Sequence, residues 1–323
     1  MRVEYMLDPG CADTQGIGPI PMRIIVVANP LSGRGKAERE AVKVRALLLQ
    51  RGHDVTRLGL SPSMVEDELP GRLREAEALV VVGGDGTVQA CAEAAARAHT
   101  PLYHWPVGTE NLFAREFGMK RDGRVLLAAL DSMRSTEADL ALCDGRLFVL
   151  MCSVGPDASI VHRLARVRTG AITKMSYARH VVMELLSPVL TPITVRVDGE
   201  AVVTDRPGMV FVANSRQYAL RIDPAKDASM TDGLLDVVHF PVTTRLGMLK
   251  WMGLSRLRRQ QAVRGAVIAR GSRVEVENHG SAVPYQLDGE AEGMLGMPRM
   301  GDTGASPMIE IGLSGHKLRV LTG

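Results

Sequence analysis

Val80-Val-Val-Gly-Gly-Asp-Gly-Thr87 decides how this chain is read. The valines close a short, wholly apolar run, Ala78–Val82, of the kind that forms a buried strand. Glycines follow at 83, 84 and 86 around Asp85, and the alanine-rich stretch Val88–Ala98 predicts a helix that starts at once. Glycine lets backbone approach a ligand closely. The first amides of a helix have no partner within it, and its dipole favours an anion there. A strand, a glycine turn and a helix in immediate succession thus make a phosphate cradle at the C-terminal edge of a parallel sheet. Neither GxxxxGK[ST] nor GxGxxG is present, so this is not a Walker loop or a dinucleotide fingerprint. An acid among phosphates, Asp85, needs a divalent cation or a proton transfer to justify it.

Outward from this block the pattern alternates. Ile24–Ala28, Asp54–Leu60 and Leu102–Trp105 predict further strands, and Ala37–Arg51, Met64–Ala76 and Asn111–Phe117 predict helices. Strands alternating with helices give a parallel sheet covered on both faces. After the first strand comes a glycine-rich loop, Asn29-Pro-Leu-Ser-Gly-Arg-Gly-Lys36, in which Arg34 and Lys36 can neutralise phosphate charge. Pro106-Val-Gly-Thr-Glu-Asn111 is a second glycine turn between strand and helix, so the two turns face one cleft.

The character changes near Ser135. Ala138–Leu142 and Leu147–Cys152 predict a hairpin turning at Asp144-Gly145. Ala158–Arg168 and Thr173–Leu186 read as helices. Short period-two runs then dominate: Ile193–Val197, Met209–Ala213, Leu235–Phe240, Val274–Glu277, Ile309–Leu313 and Leu318–Leu321. The expected architecture is an α/β domain with a parallel sheet over residues 23–135, then an antiparallel β-sandwich over 136–323. A Pro- and Gly-rich leader, 1–22, precedes them, and a Gly/Met-rich loop spans Gly293–Gly304.

Composition narrows the function classes. The 323 residues carry 39 Lys+Arg against 36 Asp+Glu, a net charge of +3, with 46% hydrophobic and 23% charged residues. That profile excludes disordered and collagen-like chains. Two Trp, five Tyr and five Phe are too few for base-stacking platforms, so nucleic acid is not an expected partner. Cys11, Cys91, Cys143 and Cys152 show no metal or disulfide spacing and fit reduced thiols in a cytoplasmic protein. Acids are absent from Val237 to Val274 while eight basic residues occur there among Leu246, Leu249, Trp251 and Leu257. Such a basic amphipathic segment suits peripheral contact with an anionic membrane surface.

Four blocks follow in order: Asn29-Pro-Leu-Ser-Gly33, Gly83-Gly-Asp-Gly-Thr87, Gly108-Thr-Glu-Asn111 and Asp288-Gly-Glu290. Ser153-Val-Gly-Pro-Asp-Ala158, Val212-Ala-Asn214 and Asp232-Gly-Leu-Leu-Asp-Val237 lie between the last two. The series resembles the diacylglycerol kinase catalytic-domain family, which includes bacterial lipid kinases and sphingosine kinases, over nearly the whole chain from Arg23. The resemblance implies ATP and Mg²⁺ as cofactors and a lipid as phosphate acceptor. It places Gly83, Gly84, Asp85, Gly86, Thr87, Gly108, Thr109 and Asn111 around the ATP phosphates, with Asn29 and Ser32 in the adjoining loop. Asp288 or Glu290 accepts the lipid hydroxyl proton, and Asp157 lies near that site. A structural Mg²⁺ is implied around Ser229, Asp232 and Leu234, held partly by carbonyl oxygens. Gln89-Ala90 stand where the family commonly has Asn-Glu, and Leu112 stands where it has Asp; Glu93, one turn beyond Ala90, is a candidate replacement. Those departures keep a second reading open, a non-catalytic nucleotide- or lipid-binding regulator. A third, an NAD-kinase-type enzyme, also uses GGDG. A sandwich edge offers a pairing surface for a homodimer.

Overall fold

The structure is a computed structural model that describes residues 20–166, 190–242, 244–296 and 307–322. Four parallel strands form its first part: β1 (Arg23–Ala28), β2 (Asp54–Gly59), β3 (Ala78–Gly83) and β4 (Leu102–Pro106), in the order β2-β1-β3-β4. Ile24–Ala28 and all of β3 are buried, as a sheet covered on both faces requires. The helices are α1 (Lys36–Gln50), α2 (Leu69–Leu73), α3 (Asp85–Arg97), α4 (Leu112–Glu116) and α5 (Gly123–Ser132). The helix predicted over 64–76 is a wide turn, Met64–Glu68, running into α2. Pro70 lies in the first turn of α2, where a missing N–H is tolerated.

The second part contains β5 (Ser135–Cys143), β6 (Arg146–Phe148), β7 (Met151–Val154), α6 (Pro156–Arg166), β8 (Pro192–Val197), β9 (Glu200–Pro207) and β10 (Met209–Ala213). It continues with β11 (Leu235–Phe240), α7 (Arg245–Arg256), β12 (Val267–Gly271), β13 (Arg273–Asn278), β14 (Val283–Leu287), β15 (Glu290–Leu295) and β16 (Met308–Leu321). One sheet is antiparallel throughout, in the order β12-β11-β10-β7-β14-β15. It packs on β5, β8, β13 and β16 through a core rich in Val, with Phe148 and Tyr285 filling it.

Two arrangements differ from the sequence reading. Residues 23–135 and 136–323 share one ten-stranded sheet among the described residues. The last strand causes this: Ile309 and Ile311 sit in the sandwich core, while Val320 pairs in parallel with Leu102 of β4 and, with Leu318 and Leu321, joins the first core. The predicted hairpin is also corrected. β5 turns into β6 with Cys143 opposite Arg146, but the strand expected over 147–152 breaks at Val149–Leu150, and β7 belongs to the other sheet. The break has a cause in the site, given below. The helix predicted over 173–186, the end of that predicted over 158–168, and the leader up to residue 19 lie outside the described residues, as does the predicted Gly/Met-rich loop from 297. Its first residues, Gly293 to Leu295, belong to β15.

Candidate active site

The carbonyl of Gly83 ties the two glycine turns together. It accepts from Val107 N at 2.8 Å, Gly108 N at 3.3 Å and the ring Nε2 of buried His104 at 3.0 Å. Burial keeps the His104 imidazole below its usual range, so the neutral ring donates to that carbonyl. The turns touch backbone to backbone: a Cβ on Gly108 would stand 2.7 Å from the Cα of Gly84. Asn111, at φ +50°, locks the second turn by accepting from Gly108 N at 2.8 Å and donating to Gly108 O at 2.9 Å. Asp85 reaches across and accepts from Phe113 N at 2.9 Å, capping α4. Ser32 Oγ lies 3.5 Å from Thr87 Oγ1, and Asn29 Oδ1 accepts from Leu31 N at 3.0 Å, so the first loop closes against the same turn. Around Gly86 a Cβ would meet nothing within 4 Å, which leaves open space at the head of α3. Lys36, at the start of α1, is exposed.

The second half contributes the β14–β15 hairpin. Asp288, at φ +50°, holds three successive amides: Val149 N donates to Oδ2 at 2.6 Å, Leu150 N and Met151 N to Oδ1 at 2.8 and 2.9 Å. Those donors would otherwise pair in a strand, and this is why the chain breaks between β6 and β7. Burial pushes the Asp288 carboxyl up to about 6 despite the three amides, and the charge of Asp85 pushes the same way. Glu290 is exposed, next to it across Gly289. Gln89 donates from Nε2 to Leu147 O at 2.9 Å and so binds α3 to the chain leading into the Asp288 clamp.

A buried network stands behind the hairpin. Tyr218 OH and Ser153 Oγ both donate to Asp157, whose carboxyl burial holds above the usual range. Gln286 Nε2 donates to Ser153 Oγ at 2.9 Å and its Oε1 accepts from Gly289 N at 2.7 Å. Asp157 therefore braces the Asp288–Glu290 turn through Ser153 and Gln286, from a position where it is 4% exposed. Asn214, fully buried, donates to Asp139 O and Val149 O at 2.7 Å each. Arg115 on α4 reaches Gln217 Oε1 at 2.7 Å and Glu116 accepts from Ser215 Oγ at 3.2 Å, fastening the two halves together.

Asp85, Gly83, Gly84, Gly86, Thr87, Gly108, Asn111, Asn29, Ser32 and Asp288 therefore converge, with Thr109 between Gly108 and Asn111 and Glu290 at the hairpin. Ser229, Asp232 and Leu234 lie on another loop and are bonded within the protein. Ser229 Oγ is 3.1 Å from Thr231 Oγ1, Leu234 N donates to Asp232 Oδ1 at 3.1 Å, and Arg270 pairs with Asp232 Oδ2. No cluster of His, Cys, Asp and Glu suited to a metal occurs among the described residues. Glu93 does not replace the missing acid: it pairs with Arg97 at 2.7 Å on an exposed helix face. Gln217, Tyr218 and Gln286 were invisible in the sequence, because each acts through a partner far along the chain.

The basic segment forms α7 and its exit. Met248 and Trp251 are buried, Trp251 stacking on Phe211 at 5.4 Å. Leu246, Leu249 and Leu257 are 77%, 52% and 68% exposed on the outer face, with exposed Lys250, Arg256 and Arg259 among them. Cys91, Cys143 and Cys152 are free thiols, all buried. Among the described residues no helix is long and apolar enough to cross a membrane.

Residues 23–143 match the family model described as the diacylglycerol kinase catalytic domain, and residues 150–303 match that of the YegS C-terminal NAD kinase beta sandwich-like domain. A diacylglycerol kinase of Mycobacterium tuberculosis is 29% identical over 71% of this chain and 76% of its own length. One of Bacillus subtilis is 25% identical over 84% of this chain and 91% of its own. An uncharacterized Synechocystis protein is 23% identical over 66% of this chain, a match spanning only 52% of that relative. A crystal structure of a diacylglycerol kinase from Bacillus anthracis superposes with a TM-score of 0.62 at 15% identity, covering 93% of this chain and 97% of that one. At that identity the likeness speaks for the fold alone.

Proposed function

Because the chain belongs to the diacylglycerol kinase catalytic domain family, we propose that it is an ATP-dependent kinase acting on a hydroxyl of a diacylglycerol-like or sphingoid lipid. The observation that carries this reading is how the two halves meet: Gln89, on the helix that Asp85 opens, donates to Leu147 O at 2.9 Å, two residues before Val149, whose amide Asp288 holds at 2.6 Å. ATP, when bound, supplies the transferable phosphoryl group, and the Mg²⁺ that travels with it neutralises phosphate charge. Gly84 and Gly86 offer backbone amides to the phosphates, with Thr87 and Thr109 in the same two turns, and the open space at Gly86 fits their approach. Asn29 and Ser32 close the loop beside them.

Asp288 is the better proton acceptor of the two hairpin acids. Its oxygens are aimed by three amides, Oδ2 accepts only one of them and keeps a lone pair, and its pKa of about 6 lies close to a working pH. Glu290, exposed beside it, passes the proton to solvent. The lipid is delivered by the outer face of α7, where exposed leucines stand among basic side chains, a match for an anionic bilayer.

The test is transfer of labelled γ-phosphate from ATP to a panel of diacylglycerols, sphingoid bases and soluble alcohols, NAD included. Phosphorylated lipid, lost in Asp288→Asn, is the expected result. Nucleotide binding without turnover on any acceptor favours the regulator, for which Ala90 and Leu112 speak. Turnover on NAD alone overturns the lipid.

A further inference from the structure

We propose that an internal cation, the guanidinium of Arg270, occupies the place of the structural divalent metal in the Ser229–Leu234 loop, and that this chain builds that loop without a metal. Arg270 stands on the edge strand β12 directly opposite Asp236 of β11 in the strand register. From there its Nε lies 3.2 Å from Asp236 Oδ2 and its Nη2 pairs with Asp232 Oδ2. One side chain thus spans the loop and the strand that follows it. The other oxygen of Asp232 is taken by Leu234 N. Asp236 is 3% exposed, and a carboxylate so placed requires a partner.

The loop is clamped from its other side by a second cation. Lys317 Nζ reaches Asp139 Oδ1 at 2.8 Å, while Asp139 Oδ2 accepts from Gly233 N at 2.8 Å and Asp139 N donates to Met230 O at 2.6 Å. Two fixed positive charges therefore face Asp139, Asp232 and Asp236, the charge a divalent ion would bring. Mg²⁺ needs about six oxygens near 2.1 Å in an octahedron. Guanidinium offers donors and no acceptor. A metal binding at Asp232 would have to expel Arg270 and leave it facing a second cation. Both carboxylate oxygens of Asp232, the acid of the implied ligand set, are thus already taken.

Thermal unfolding of the nucleotide-free protein, in EDTA and across a Mg²⁺ titration, tests this, alongside Mn²⁺ binding read by electron paramagnetic resonance. The expected wild-type result is one Tm in EDTA and Mg²⁺ and no bound Mn²⁺ that Asp232→Asn removes. Arg270→Met, which keeps the stem and drops the charge, should unfold at lower temperature in EDTA and recover saturably with Mg²⁺. Arg270→Lys should stay indifferent to Mg²⁺, and it serves as the folded control if Arg270→Met does not accumulate. A wild-type Tm that rises with Mg²⁺ and loses that rise in Asp232→Asn overturns the proposal. So does an Arg270→Lys protein that gains Mg²⁺ dependence. These measurements read folding and metal binding, and hold whether or not the chain phosphorylates a lipid.

Discussion

Asp85 and Asp288 come from opposite halves of the chain, yet the charge on the first raises the pKa of the second. Burial is the larger cause, and the three amides of Val149, Leu150 and Met151 oppose it. Asp85→Asn keeps an acceptor for Phe113 N–H and removes only the charge. The acid limb of the kinase pH profile should then shift to lower pH in the variant. Initial rates measured between pH 5 and 8 for both proteins check this, and coincident limbs would separate the two carboxyls.

Asp288 also links activity to stability with opposite signs. Its native pKa of about 6 lies above its unfolded value of 3.8, so the folded state binds the extra proton. Its contribution to stability is fully present below about pH 4 and is lost as pH rises through about 6. Activity runs the other way, since a protonated Asp288 accepts no proton. Asp288→Asn should lower kcat by about 10²- to 10⁴-fold. It should also flatten the pH dependence of unfolding free energy between pH 4 and 7, read from urea transitions. Glu290→Gln, altering an exposed group, should cost far less.

How much of this was legible in the sequence depends on how local the physics is. The turn at 83–87 could be read because glycine freedom and helix amides act within a few residues. Asp288-Gly-Glu290 alone reads as a hairpin turn. Its partners are amides 137 to 139 positions away, and only the company of the other blocks gave it meaning. Tyr218 meets Asp157 over 61 positions and Gln286 meets Ser153 over 133, so no spacing rule marks them. β9 and β15 carry no clear period-two signal because they lie at sheet edges with mostly partly or fully exposed residues, where alternation fades. β16 reads as two runs because Ser314 to His316, between its two apolar ends, has the composition of a turn.

The two glycine turns can be tested against each other. A Cβ on Gly108 would stand 2.7 Å from Gly84 Cα and 2.9 Å from Asn111 Oδ1, so Gly108→Ala must push the turns apart. The expected loss of stability is about 1–3 kcal/mol, together with weaker nucleotide binding. Gly86→Ala meets nothing within 4 Å and should fold with an unchanged Tm. Weaker ATP binding in that variant, by calorimetry, would place the phosphates over Gly86; unchanged binding would move them elsewhere.

Tyr218 carries a prediction about positioning rather than contact with the reactants. Its hydroxyl and that of Ser153 share the buried Asp157 carboxylate. Tyr218→Phe leaves the ring against Phe211, 5.8 Å between centroids, and removes one donor from a buried acid. The cost should be about 1–3 kcal/mol of stability, and the Asp157 pKa should climb further. Because Gln286 passes the strain to Gly289, kcat should fall while the KM for ATP stays nearly constant. A raised KM with unchanged kcat would detach this network from the hairpin.

The outer face of α7 makes the membrane reading measurable. Met248 and Trp251 anchor the helix, so changes to Leu246 and Leu249 should leave the fold intact. Their exposure means that they bury apolar surface only when something covers them. Full burial of a leucine is worth about 1.5–3 kcal/mol. Leu246→Glu with Leu249→Glu should therefore lower sedimentation with phosphatidylglycerol vesicles by well over tenfold. Added salt should weaken wild-type binding, because Lys250, Arg256 and Arg259 supply its electrostatic part. Equal binding to neutral and anionic vesicles would remove the part given to the basic side chains, and binding to neither would leave the leucines without a bilayer to enter.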